Sequence, residues 1–138
     1  MCMFDTCDDF VTSLGSADHT ARQQHKCAEC CRAIGPGEKY HADRFVFEGK
    51  LSVHKTCGHC MVARGWLQGE CGGWVYGQVE EDVREHVQNG GIWGPRAYGL
   101  PVARLAVGMR QKWARPDGSL RPLPAMPLTT HERLRATA

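Results

Sequence analysis

The stretch "CAEC" covers Cys27–Cys30, and "HKTCGHC" covers His54–Cys60. Two Cys-x-x-Cys pairs therefore stand 26 residues apart. Such a pair brings two sulfurs to one ion from a single tight turn, and structural zinc takes four ligands in a tetrahedron. Gly35-Pro36-Gly37 after the first pair is a turn signal. "KYHADRFVFEGKLSVH" then reads as two strands around a turn at Glu48-Gly49-Lys50, with Phe45, Phe47, Leu51 and Val53 at period two. The second pair opens a helix, with Thr56 as its N-cap and Met61, Val62, Trp66 and Leu67 following. Free N–H groups and the helix dipole at that end favour thiolate over thiol. Knuckle, hairpin and helix in this order predict a small α+β chain built on a zinc-stabilised, treble-clef-like finger, followed by two helices and a Pro-rich tail.

The expected ligands are Cys27, Cys30, Cys57 and Cys60. A competing set replaces Cys60 with His54, because His54-x-x-Cys57-x-x-Cys60 offers three donors close together. Four thiolates close a site and load it with negative charge, whereas catalytic zinc keeps a position open for water. The metal is therefore expected to be structural. Cys2, Cys7 and Cys71, with one further donor, form a candidate second zinc set; the other reading leaves them as free thiols. One Zn2+ is expected on the first set, and two if the second also binds.

Around the finger, residues 11–26 read as a short polar helix capped at Ser16 or Asp18. "VEEDVREHVQNGG" predicts a helix with Val79, Val83 and Val87 on one face and acids in its first turn. A last helix is expected over 101–113, with Pro101 at its first position and Val102, Leu105, Ala106, Met109 and Trp113 on one side. The division expected is 1–95 as the zinc-binding domain, 96–115 as an amphipathic helix packed on or beside it, and 116–138 as a Pro-rich flexible tail. Tyr40, Phe45, Phe47, Trp66 and Trp74 are the candidate core around the metal.

The 138-residue chain has eight cysteines and a formal charge of +2. Residues 1–95 carry nine Lys/Arg against thirteen Asp/Glu, a net of −4, and residues 96–138 carry eight against two, a net of +6. "MCMFDTCDDF" lacks the basic and apolar regions of a secretory signal, and no run approaches the roughly 18 apolar residues of a membrane span. A cytoplasmic location is expected, where thiols stay reduced and paired Cys-x-x-Cys points to metal.

At "HKCAECCRAIGPGEKYH…FEGK…HKTCGHC" the chain resembles a group of small, mostly uncharacterised zinc-binding proteins of tailed phages and prophages. The matching positions are Cys27, Cys30, Ile34, Gly37, Glu38, Tyr40, Phe47, Glu48, Gly49, Cys57 and Cys60. Weaker matches are the N-terminal Cys2 and Cys7, the Cys71–Gly77 stretch, and Lys112–Pro124. Cys31 and the Gly-rich piece at 89–94 depart from the pattern. The resemblance implies zinc and a phage origin, hence a host bacterial cytosol, and no particular activity.

Three classes of function follow. The first is a non-enzymatic protein that binds a host complex, such as a defence or transcription assembly, and modulates or inhibits it. An acidic face made by Asp5, Asp8, Asp9, Glu80, Glu81, Asp82 and Glu85 is one candidate contact. The second is DNA or RNA binding through the basic C-terminal segment, with Arg104, Arg110, Lys112 and Arg115 as contact candidates. The third, a treble-clef nuclease, would need His41 or His54 on the hairpin working with a helical residue such as His59. No membrane and no small-molecule substrate is expected.

Overall fold

The computed structural model describes residues 11–89 and 98–137. Five strands come first: β1 (Thr12–Thr20), β2 (His25–Lys26), β3 (Ala33–Ile34), β4 (Lys39–Phe47) and β5 (Lys50–Cys57). Four helices follow among the described residues: α1 (Gly58–Cys71), α2 (Val79–Asn89), α3 (Gly99–Arg110) and α4 (Thr130–Ala136). The chain is thus a small α+β protein with a three-stranded sheet in the order β1-β4-β5 and a two-stranded ribbon of β2 and β3.

The hairpin forms where the sequence predicts it. Glu48 and Gly49 both take positive φ (49° and 75°), the left-handed pair that matches the strand twist in a two-residue turn. Directly paired residues share a face, so the register separates the apolar residues around that turn. Phe45 lies opposite Ser52, and Leu51 opposite Val46, which puts Phe45 and Leu51 on opposite faces. Phe45 stacks on Tyr76 with ring centroids 4.5 Å apart. Phe47, expected in the core, is exposed instead.

Residues 12–20 correct the sequence reading, which made them helical. They form an edge strand paired antiparallel with β4 from Thr12↔Val46 to Thr20↔Lys39. Thr, Ser and Gly in this stretch give little helical drive, and the ladder offered by β4 overrides it. Gly15, at φ 108°, sits where the register shifts.

Helix α1 begins one residue later than a Thr56 cap would place it. Cys57 is the N-cap, and its sulfur accepts the Cys60 N–H, the role a Ser or Asp oxygen ordinarily fills. Trp66, Leu67 and Ala63 of α1 are fully buried against Val79 and Val83 of α2 and Val102 and Leu105 of α3. Helix α3 starts at Gly99, earlier than expected, and ends at Arg110. Lys112 and Trp113 then adopt positive φ (53° and 56°), which folds the indole back into the core.

The residues after Arg115 lie along α1. Gly58, Gly65 and Gly69 form a side-chain-free stripe on that helix. A Cβ on Gly65 would come within 2.8 Å of Met126 Cε, and one on Gly69 within 3.0 Å of Thr129 Cγ2. Trp66 Nε1 donates to the Leu128 carbonyl, and Glu70 accepts from the Thr130 N–H at 2.7 Å. Helix α4 is closed by a capping box between Thr129 and Glu132, and Arg133 donates to the Tyr98 carbonyl.

Candidate metal centre

The first Cys-x-x-Cys pair lies between β2 and β3. The Cys27 N–H donates to the Arg32 carbonyl at 2.9 Å, and the Cys31 N–H to the Cys27 carbonyl at 3.0 Å. Cys31 takes φ 66°, a conformation that glycine adopts without strain. The Ala28 N–H donates to the Lys55 carbonyl at 2.8 Å, which docks the knuckle on β5. The second pair straddles the β5–α1 junction. Cys27, Cys30, Cys57 and Cys60 thereby converge, all buried, with their sulfurs within 4.8 Å of one another.

This spacing fits one ion. Four sulfurs at about 2.3 Å from a tetrahedral centre lie about 3.8 Å apart, and Cys30 Sγ stands 4.0 Å from Cys57 Sγ. All four are free thiols. They cannot all ionise together without a cation. Hydrogen bonds from Cys30, Cys57 and Cys60 hold Cys27 far below an ordinary thiol. Hydrogen bonds with Cys27 and Cys30 push Cys60 far above one.

Donors surround the sulfurs. Cys27 Sγ accepts the Cys57 N–H at 3.3 Å, Cys57 Sγ the Cys60 N–H at 3.5 Å, and Cys60 Sγ the Trp113 indole N–H at 3.4 Å. Burial opposes the charge of Arg32, but Cys57 and Glu38 outweigh it and raise the Arg32 pKa. The guanidinium also bonds Glu38 at 3.1 Å. Such outer partners fix a ligand's orientation and temper its charge.

His54 stands apart from this cluster. Its Nε2 lies 3.0 Å from Glu29 Oε1, and its ring tilts against Tyr76. Glu29 also accepts the N–H of Gly77 at 2.8 Å and of Val79 at 3.3 Å, so one buried carboxylate joins the knuckle, β5 and the start of α2. Sequence reasoning missed Glu29, because nothing in Cys-Ala-Glu-Cys distinguishes a buried carboxylate from a solvated one. It also missed Arg64, which donates to both oxygens of Asp43 and lies 3.4 Å over the Trp74 ring.

Other candidate residues are placed as follows. Cys2 and Cys7 lie outside the described residues, as do Asp5, Asp8 and Asp9 of the proposed acidic face. Asp82 of that face is buried. Cys71 ends α1, with its sulfur 3.0 Å from His86 Nε2. Arg104, Arg110, Lys112 and Arg115 are exposed. His41 bonds Asp18 at 2.7 Å and approaches Asp43 at 3.3 Å. His59 Nε2 donates to the Arg121 carbonyl at 2.7 Å, and burial followed by the Arg32 charge lowers its pKa despite that bond. No described helix is long and apolar enough to cross a membrane. No protein-family model, curated protein or solved structure matches the chain.

Proposed function

We propose that the four-cysteine cluster holds one structural zinc in a treble-clef-like finger. We further propose that the chain is a phage protein that acts in the host cytosol by binding a macromolecular complex there, with no chemical step at the metal. The observation that carries this reading is the closure of the site. Four buried thiols within 4.8 Å of one another are enough for a complete tetrahedral set, and three of them accept N–H groups. An ion held by all four thiolates would keep no open position for water. The histidines on which a nuclease reading could draw are each engaged elsewhere: His41 with Asp18, His54 with Glu29, and His59 with Arg121.

The outer face of α3 is the proposed contact surface. Arg104 and Arg110 flank Val107 there, Leu100 is 69% exposed at its start, and Lys112 and Arg115 extend it. Cations interleaved with exposed apolar side chains suit an acidic protein surface with apolar pockets. Phosphates alone would not require Leu100 or Val107. Trp113, the one aromatic in this segment, is buried and offers no stacking platform.

Cross-linking in host cytosol tests this. Wild-type protein should join a discrete complex that the Arg104→Glu, Arg110→Glu, Lys112→Glu, Arg115→Glu variant fails to join. Failure of both to bind would refute the reading. Binding to duplex DNA or RNA with steep salt dependence would replace it with the nucleic-acid alternative.

A further inference from the structure

The four sulfurs of the metal cluster are not equally covered. Cys27, Cys57 and Cys60 are 0% exposed, whereas Cys30 is 7% exposed. The first three each accept one N–H: Cys27 Sγ from Cys57, Cys57 Sγ from Cys60, and Cys60 Sγ from the Trp113 indole. Cys57 also feels the charge of Arg32. Among the described residues Cys30 Sγ accepts no N–H, and its polar neighbours are the other three sulfurs. Cys30 also ends the knuckle turn, and the residue after it, Cys31, is an exposed free thiol.

Zinc binds cysteine as the thiolate, so an ion held by all four makes each sulfur a nucleophile. A hydrogen bond to a thiolate stabilises its charge and lowers its nucleophilicity. Oxidation of cysteine follows thiolate character and access. Bare of N–H donors and least covered, Cys30 is selected on both counts. We propose that Cys30 is the sulfur at which the zinc-loaded cluster reacts with hydrogen peroxide, so that an oxidant releases the ion. This rests on the four-cysteine zinc site proposed above. The Cys30 sulfur attacks one peroxide oxygen, an S–O bond forms and the O–O bond breaks. The sulfur gives up two electrons and becomes a sulfenic acid. The other oxygen leaves as hydroxide and takes a proton from solvent to become water. A sulfenic acid has lost the thiolate charge that held the ion, and three thiolates are left.

Full-length protein loaded with zinc tests this. Hydrogen peroxide is added together with dimedone, which traps sulfenic acids, and a chromogenic chelator reads zinc release. A neighbouring thiol consumes a sulfenic acid by condensing with it, so the trap is read in Cys31→Ser, where the altered side chain is exposed. Peptide mass mapping at early times should place the adduct on Cys30 at least about tenfold ahead of Cys27, Cys57 and Cys60, as one missing hydrogen bond to a charged group implies. Zinc should leave in step with that adduct. In wild type, which needs no variant to fold, the peptide holding Cys27 and Cys30 should change mass before the one holding Cys57 and Cys60, and zinc should leave at the same rate as in Cys31→Ser. A first adduct on Cys27, Cys57 or Cys60, or equal rates at all four, overturns the proposal. So does zinc that stays bound after Cys30 is oxidised, zinc release that slows in Cys31→Ser, or a cluster that resists peroxide altogether. Protein that holds no zinc before peroxide is added would instead defeat the four-cysteine site.

Discussion

Gly108→Ala tests how the metal cluster is covered. In the middle of a helix this change ordinarily stabilises by about 0.5–1 kcal/mol, because glycine loses more backbone entropy. Here the added Cβ would lie 2.2 Å from Trp113 Cζ3 and 2.5 Å from Cε3. The ring is 2% exposed and packed in the core. Either the helix shifts or the indole leaves, and both break its N–H bond to Cys60 Sγ. Overpacking costs about 1–3 kcal/mol, and a hydrogen bond to a charged group is worth about 1.5–3 kcal/mol. After subtracting the helical gain, the expected destabilisation is about 2–5 kcal/mol. At about 4 °C per kcal/mol that lowers Tm by roughly 8–20 °C. Thermal unfolding of the zinc-loaded protein, followed by circular dichroism, measures it. In a Trp113→Ala background the same substitution should raise Tm, since the ring it meets is gone. A higher Tm for Gly108→Ala alone, or a cost that survives in the Trp113→Ala background, would refute the reasoning.

Cys57→Ser should abolish both metal binding and the cooperative unfolding transition. Structural zinc contributes about 10–16 kcal/mol, as much as a whole domain's net stability; a folded variant with unchanged Tm would contradict this. His54→Ala should keep the metal content of wild type while Cys60→Ser loses the ion, and elemental analysis of the two variants separates the competing ligand sets. Arg64→Met should cost up to about 3–5 kcal/mol by leaving buried Asp43 with His41 alone. Adding Asp43→Asn should recover part of that, and chemical denaturation of both variants reads the difference. Zinc affinity should weaken as pH falls, because protons compete for the sulfurs; a chelator competition that stays flat across acidic pH would argue against thiolate ligands.

The hairpin and the four-cysteine cluster are legible in the sequence because their signals are local. A turn at Glu48-Gly49, alternating strands and cysteine pairs each lie within a few residues of one another. Sequence and structure part where distant chain decides the outcome. Residues 12–20 carry weak propensity in either direction, and only the ladder of β4 makes them a strand. The cap falls on Cys57 and not Thr56 because a cysteine sulfur takes the part of the expected oxygen. The place of the Pro-rich segment depends on three glycines spaced along α1, which in sequence read as ordinary interruptions. Glu29 and Arg64 are silent in sequence because burial, not residue type, gives them their roles. Trp113 reads in sequence as the end of the last helix, but the helix stops at Arg110 and a left-handed turn carries the indole into the core, where its bond to Cys60 joins residues 53 apart.

That separation also sets an order of events during synthesis. Cys60 leaves the ribosome 53 residues before Trp113, which at about 5–20 residues per second is about 3–10 s. Through that interval the four thiols can meet, but the indole that covers Cys60 and the Arg121 carbonyl that anchors His59 have not yet been made. The four sulfurs are therefore most accessible to an incoming ion on the nascent chain. Afterwards the indole of Trp113 and the Arg121 carbonyl close over the four-cysteine cluster, and any exchange at Cys60 must wait for that cover to lift.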